Sequence, residues 1–397
     1  MKDHLRILVV TSTFPRWAGD TEPPFIFNLC KYLQQHGVDV DVIAPHAPGA
    51  KKHEILDNIT VYRYRYFFSR METLAYAGGI MANLKKNSMN YLLVPFLLFF
   101  QLIAVLRRLT SGNYHLIHAH WLVPQGVICC LARKIPGQKK HPLLCTSHGS
   151  DLYSLDTPVF RVLKKWTIMN SSCLSVVSNA MKNYAGVLCN NRQDIRVIPM
   201  GIDLKNTFVP VPGIARKDRR ILYVGRLVEN KGVNILIEAI DLIRRKLPDV
   251  ELLVIGDGPM RAYLENETRK LGLEQYISFR GALVHEQLPE LYSSSAVAVV
   301  PSIDQEGLGL AVIEALGCGC AVVASDLPAI REILDSETGI LVKPSDVPDL
   351  AEKLITVLLD RKLQMQLSAN GRKRVTNMFD IDISGKRYCD LICQLAR

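Results

Sequence analysis

Residues 297–324 read VAVVPSIDQEGLGLAVIEALGCGCAVVA: an apolar strand, a loop carrying Gly307 and Gly309, the helical run AVIEAL, then a second apolar strand. Strand, crossover helix and strand in that order form the unit from which parallel sheets are built. The alternation extends over nearly the whole chain. Before this stretch the second half has apolar runs at Ile221–Val224, Glu251–Ile255 and Ile277–Phe279, and after it at Ile340–Val342. The first half repeats the pattern at Leu5–Val10, Val38–Ile43, Leu116–His118, Leu143–Thr146, Leu174–Val177 and Ile195–Ile198. Runs rich in Val, Ile and Leu, separated by helix-length segments, predict parallel sheets covered on both faces.

The pattern breaks between Pro199 and Arg220, where Pro199, Gly201, Pro210, Pro212 and Gly213 precede the charged run ARKDRR. That composition predicts an interdomain linker. The expected architecture is α/β, with two Rossmann-like doubly wound domains, residues 1–200 and 201–379, facing across a cleft. Ligands of such sheets lie beyond the carboxyl ends of the strands, so the ligand is expected in the cleft.

Chemistry concentrates after Val300. Gly307 and Gly309 let the backbone approach a ligand closely. The helix opening near Gly309 offers free N–H groups and a positive dipole end, a combination that binds phosphate. Glu306 stands in the loop and Glu314 on the second helical turn. An ionised carboxylate only accepts hydrogen bonds, so it suits hydroxyl donors. Two of them flanking an anion site fit a nucleotide sugar, with ribose on one side and the transferred sugar on the other. Each glutamate alone also reads as an ordinary surface acid. A second cluster, YVGRLVENKGVNILIEAI at 223–240, sends Arg226 and Lys231 off the carboxyl end of a strand. Two cations there neutralise a diphosphate leaving group, the arginine as a fork and the lysine as a point charge.

The first half supplies TSTFPRWAGD at 11–20, with Gly19 ahead of a helix expected from about Pro24 to His36. It also places IHAHW, with His118 and His120, and CTSHGSD, with His148, Gly149 and Asp151, at strand ends. Histidine shuttles protons or donates to hydroxyls near neutral pH. His148, His118, His120 and Asp151 are therefore candidates on the acceptor side, although His118 reads equally as a satisfied strand-end histidine. The pairs Asp39/Asp41 and Asp380/Asp382 resemble metal-binding acids but lie away from the phosphate features, so no catalytic metal and no cofactor is expected. Gly256-Asp-Gly258 lacks the third glycine of a dinucleotide fingerprint, which disfavours an NAD enzyme.

Composition adds a bias. The 397-residue chain carries a formal charge of +10, and residues 1–200 hold 23 Lys and Arg against 11 Asp and Glu. A one-sided basic field suits an anionic membrane surface, a phosphorylated lipid or nucleic acid, but no nucleic-acid module is present. The apolar segment Tyr91–Leu109 contains Pro95 and Gln101. Its core is short for a span of ~20 residues, so a buried helix is expected over one touching a membrane face. Arg63, Arg65, Arg70, Lys85 and Lys86 just upstream keep the membrane in view. The ten cysteines show no zinc spacing and are expected as buried thiols of a cytoplasmic protein. The start MKDHLRILVV reads as a first strand rather than a secretory leader.

HGSD, GRLVENKG and PSIDQEGLGLAVIEAL, in that order along nearly the whole chain, resemble the retaining GT-B glycosyltransferases of family 4, whose hallmark Glu-x7-Glu pair is met by Glu306 and Glu314. The resemblance implies that Glu306 contacts the transferred sugar and Glu314 the ribose. It implies that Arg226 and Lys231 hold the diphosphate with amides of Gly307, Leu308 and Gly309, and that His148 approaches sugar or acceptor with Asp151 in support. Gly19 would lie in a glycine loop over the phosphates, although Ala18 stands where the family has a second glycine. Residues 380–397 would form a helix crossing back to the first domain. The implied activity moves a sugar, from a UDP-sugar first and GDP-mannose next, to a lipid-linked or glycan acceptor, in the cytoplasm or at the inner face of the membrane. A phosphorylase or nucleotide-sugar epimerase of the same fold is the enzymatic alternative. A membrane- or nucleic-acid-binding protein on an inactive transferase is the other, and the intact set Arg226, Lys231, Glu306 and Glu314 argues against it.

Overall fold

A computed structural model describes residues 5–17, 19, 20, 22, 24–76, 78–135, 141–191 and 194–397. Two compact units emerge: Met1–Gly201 with Ile381–Arg397, and Ile202–Asp380. Each is a sheet of mostly parallel strands with helices between them, as in GT-B proteins.

In chain order the first unit has β1 (Leu5–Val10), β2 (Val38–Pro45), β3 (His53–Leu56), β4 (Ile59–Tyr64), β5 (Leu116–His120), β6 (Leu143–Ser147), β7 (Cys173–Val176) and β8 (Ile195–Val197). Across the sheet the order is β3-β4-β2-β1-β5-β6-β7-β8. The chain leaves β1 for β2 on one side and returns to β5 on the other, which makes the carboxyl ends of β1 and β5 the switch point where such sheets take ligands. β5 and β6 are buried along their whole length, as sheets covered on both faces require.

The sequence pattern missed β3 and β4, and one pairing is not parallel. β3 runs antiparallel to β4, joined by Asp57 and Asn58 at φ 47° and 67°. Two successive left-handed residues are the turn that closes a tight hairpin. β3 alternates exposed and half-buried residues, so it has no apolar run to recognise.

The second unit has β9 (Lys217–Val224), β10 (Glu251–Ile255), β11 (Ile277–Gly281), β12 (Ser295–Val300), β13 (Ala321–Ser325) and β14 (Ile340–Val342), ordered β11-β10-β9-β12-β13-β14 and all parallel. Its switch point lies between β9 and β12.

Residues 199–220 are not a free linker. Leu204 and Phe208 are fully buried. A Cβ on Gly317 would meet Leu204 Cδ2 at 2.6 Å and the Phe208 carbonyl oxygen at 2.9 Å. β9 begins inside the charged run, at Lys217, because Arg220 pairs with Glu251 of β10 at 3.1 Å. The Tyr91–Leu109 expectation also changes. The Val94–Ser111 helix buries Leu97, Gln101, Val105 and Leu109, one residue per turn, and exposes Phe96, Phe99 and Phe100.

The last helix, Ile381–Leu395, belongs to the first unit. The Tyr32 hydroxyl donates to the Asp382 carbonyl at 3.2 Å. A Cβ on Gly385 would lie 2.3 Å from the Tyr32 ring, so only glycine lets this helix seat on the Phe25–Gln35 helix. Overpacking of this kind costs about 1–3 kcal/mol. Gly385→Ala is expected to lower first-unit stability by that amount in urea unfolding followed by tryptophan fluorescence, since Trp17, Trp121 and Trp166 all lie in that unit. An unchanged midpoint would show that the helix seats elsewhere.

Candidate functional site

In the second unit the loops after β9 and β12 touch. Gly232 has φ 66°, and a Cβ there would fall 2.0 Å from the Pro301 carbonyl oxygen. The Ile303 amide donates to the Asn230 carbonyl at 2.9 Å. This contact brings Lys231 and Glu306 together: Lys231 Nζ lies 2.9 and 2.7 Å from the two Glu306 oxygens. The Ser302 hydroxyl donates to the same carboxylate at 2.9 Å. Both side chains are mostly buried, 26% and 13% exposed, so the pair is reachable from solvent.

Arg226 leaves β9 beside the same loops. The Tyr223 hydroxyl donates to its carbonyl at 2.9 Å. Burial first, then the nearby Glu306 charge, pushes the Tyr223 hydroxyl well above its ordinary pKa, with Arg226 opposing. Tyr223 thus senses the charges of both predicted site residues. Gly256 and Gly258 shape this loop: a Cβ on either would lie 1.9 Å from the Gly225 carbonyl and 2.3 Å from the Leu227 carbonyl respectively. The Gly-Asp-Gly run therefore serves loop contact.

The helix after the loop starts at Leu310, with Gly309 at φ 91° as its cap. A Cβ on Gly309 would press on Ile330 at 2.7 Å. The Leu308 side chain is buried, which fixes the backbone whose amides the sequence singled out. Glu314 sits in a separate hydrogen-bonded group. It accepts from His285 Nε2 and from the Tyr292 hydroxyl, each at 3.1 Å. Burial alone lowers the His285 pKa, but the Glu314 hydrogen bond and charge raise it overall. His285, Tyr292 and Ser302 escaped the sequence reading. Only Ser302, four residues from Glu306, had a local signal.

In the first unit the register sets His120 of β5 level with Thr146 of β6. His118 and His120, two residues apart on one strand, pack with ring centroids 4.2 Å apart and their planes tilted by 34°. His120 Nδ1 lies 2.9 Å from His148 Nε2, so one of the two nitrogens donates. His118 Nε2 bonds the Thr146 hydroxyl at 2.7 Å. His118 and His120 are fully buried. The expectation that they meet an acceptor directly is thereby corrected: they stand behind His148. The His148 ring is lined by Phe25 and Trp121 at 5.0 and 5.1 Å, and its Nδ1 makes no hydrogen bond among the described residues. Burial holds the His148 imidazole down to about 3. Burial and the neighbouring His148 do the same to His118.

Asp151 is a brace rather than an acceptor contact. Its buried carboxylate accepts from the Leu122 amide at 2.7 Å, the Ser147 hydroxyl at 2.9 Å and the His148 amide at 3.2 Å. Lys164, also buried, completes the loop by donating to the Leu152 and Ser154 carbonyls at 2.7 and 2.6 Å. Gly19 is exposed at φ 74° with open space around it, in a loop clamped by Arg16 and Asp20 at 2.6 Å. Ala18 lies outside the described residues. Asp41 is committed to Arg6 and Tyr114 at 2.8 and 2.5 Å, so it is structural. Among the described residues no group of three His, Cys, Asp or Glu could hold a metal ion. Cys393 is exposed and Cys389 half-buried, against the expectation of uniformly buried thiols.

Comparison with known proteins shows the family of the chain and its fold. Residues 205–374 match the family of glycosyl transferases group 1, and residues 25–206 match glycosyltransferase family 4. A phosphatidyl-myo-inositol mannosyltransferase of Mycolicibacterium smegmatis is 26% identical, covering 88% of this chain and 84% of the relative. The structure of sucrose-phosphate synthase from Thermosynechococcus elongatus superposes with a TM-score of 0.81 at 23% identity, covering 98% of this chain and 99% of that one. Anabaena HepE, in complex with UDP-glucose, gives 0.75 at 18% identity, over 99% and 100%.

The histidine ladder carries a pH prediction. A histidine whose folded pKa is lowered stays neutral while the unfolded chain takes a proton. Its stability contribution is complete above about pH 6.5 and is lost as pH falls towards 3, by up to about 1.4 kcal/mol per pH unit per histidine. First-unit stability by tryptophan fluorescence is expected to drop between pH 7 and 5, with a shallower slope in His118→Asn. An identical slope in that variant would show that His118 protonates freely in the folded state.

Proposed function

We propose that this chain, which belongs to the group 1 glycosyltransferases of the family 4 type, is a metal-independent, retaining enzyme acting on a nucleotide-sugar donor and a lipid-linked or cell-surface glycan acceptor. The observation that carries the reading is the Lys231–Glu306 pair at 2.7 Å, on touching loops at the second unit's switch point. A part-exposed ion pair is worth on the order of 1 kcal/mol. A hydrogen bond to a charged group is worth about 1.5–3 kcal/mol. A donor offering diphosphate oxygens to Lys231 and sugar hydroxyls to Glu306 therefore replaces one weak contact with two stronger ones.

Arg226 joins Lys231 on the diphosphate, and the amides of Gly307, Leu308 and Gly309 face its remaining oxygens. Glu314, fixed by His285 and Tyr292, takes the ribose hydroxyls. Gly19 lends its loop to the phosphates. In the first unit His148, neutral at pH 7 by burial, contacts the sugar or acceptor, with Asp151 and His120 setting its position. The acceptor oxygen bonds the anomeric carbon as the bond to the diphosphate breaks, on the same face, and the departing diphosphate takes the acceptor proton. Two fixed cations supply the charge stabilisation that a metal gives in other enzymes.

A UDP-sugar is the first choice of donor, supported by the UDP-glucose bound to the similar HepE structure. GDP-mannose is the second, supported by a similar GDP-mannose-dependent phosphatidylinositol monomannoside mannosyltransferase, and the phosphatidyl-myo-inositol mannosyltransferase relative favours a lipid acceptor. The eight buried free thiols suit the reducing cytoplasm.

Donor-dependent transfer is expected to fall about a hundred- to a thousandfold in Arg226→Ala and in Glu306→Ala, the usual cost of one well-placed charge-stabilising group. The product should keep the donor's anomeric configuration, and saturating chelator should leave the rate unchanged. Full activity in both variants would remove the assignment, and loss of activity with chelator would remove metal independence.

A further inference from the structure

The Val94–Ser111 helix carries apolar side chains on both its buried and its exposed face. Its inner stripe of Leu97, Gln101, Val105 and Leu109 is buried, and the helix packs on the Val127–Arg133 helix and on β2 and β4. Its outer face is bare. Leu92 is 68% exposed, Phe96 44% and Phe99 58%, with Phe100 and Met89 beside them. The patch continues onto the loop after β4. The Phe67 ring meets Phe96 at 5.3 Å and Phe68 at 5.2 Å, and Phe68 is 75% exposed. Contiguous exposed apolar surface of this kind marks an interaction site.

The charge around it selects the partner. Residues 61–111 contain Arg63, Arg65, Arg70, Lys85, Lys86, Arg107 and Arg108 against a single acid, Glu72. Glu72 is buried and engaged by Arg65 and His46, and Arg63 is engaged by Glu54. That leaves Arg70, Lys85, Lys86 and Arg107 exposed with no ion pair among the described residues. Lys85 and Lys86 precede the bare face in the chain, and Arg107 follows it. A two-fold dimer through this face would set like cations against each other. A surface with an apolar interior and anionic headgroups matches both features.

We propose that this face docks on an anionic lipid bilayer, with the helix lying in the interface and not crossing the membrane. A crossing would strip Leu97, Gln101, Val105 and Leu109 from the first-unit core. An interfacial helix keeps that stripe on the protein and sinks only its outer side chains, about 5–10 Å deep. The proposal is independent of the sugar chemistry.

Flotation of the full chain with vesicles of phosphatidylcholine alone, or containing phosphatidylglycerol, tests it. Binding is expected with the phosphatidylglycerol vesicles at low salt and is expected to weaken as salt rises. The triple variant Leu92→Ser/Phe96→Ser/Phe99→Ser should lose more than tenfold in partitioning. Lys85→Ala/Lys86→Ala should lose about fivefold per residue, the usual worth of a basic side chain near an anionic surface. Both variants should keep the wild-type unfolding midpoint by tryptophan fluorescence, since the buried stripe is untouched. No flotation with anionic vesicles overturns the proposal, as does equal flotation of the triple variant. A dimer seen by light scattering that the triple variant abolishes, without lipid binding, would give the face to a second copy and overturn it too.

Discussion

Lys231 and Glu306 stand 75 residues apart in the chain, and they meet because two loops approach more closely than any side chain would allow. Gly232, in the left-handed region, faces the Pro301 carbonyl with no room for a Cβ. The parallel pairing of β9 with β12 brings the two loops to the same edge of the sheet. Gly256 and Gly258 repeat the device on the β10 side, where they face the Gly225 and Leu227 carbonyls at the base of the Arg226 loop. The main chain that carries these charges is thus held in place at the switch point by close backbone contacts. Preorganisation of this kind is what makes fixed charges effective in catalysis.

The first unit solves a different problem. It buries His118 and His120 against a half-buried His148, which favours the neutral form of each. Hydrogen bonds between His120 and His148 and between His118 and Thr146 hold the ladder, and Asp151 pins the His148 backbone. A neutral imidazole just past a strand end can donate or accept a hydrogen bond without carrying a charge.

Much of this was legible in the sequence, for a physical reason. Central parallel strands are largely apolar, so β10, β12 and β13 appear as apolar runs and β1 as one broken only by Arg6. The β3–β4 hairpin did not appear, because half-buried edge strands mix polar with apolar residues. Composition named Pro199–Arg220 a linker, since proline and glycine reveal turns but not whether Leu204 and Phe208 find a glycine to pack against. It could not tell which side of the Val94–Ser111 helix faces water, because burial depends on what the helix meets. Residue types at strand ends pointed to Arg226, Lys231, Glu306 and Glu314. Their partners His285, Tyr292 and Ser302 lie on elements with no motif, and only the fold brings them in.

In the proposed reaction Lys231 and Glu306 exchange each other for the two halves of one donor. Titration calorimetry with UDP and with a UDP-sugar, against Lys231→Met and Glu306→Gln, tests it most directly. The account predicts that Lys231→Met weakens both ligands. It predicts that Glu306→Gln weakens only the UDP-sugar and leaves UDP bound as well or better, because the lysine has lost its competitor. Equal weakening of UDP in both variants would contradict it.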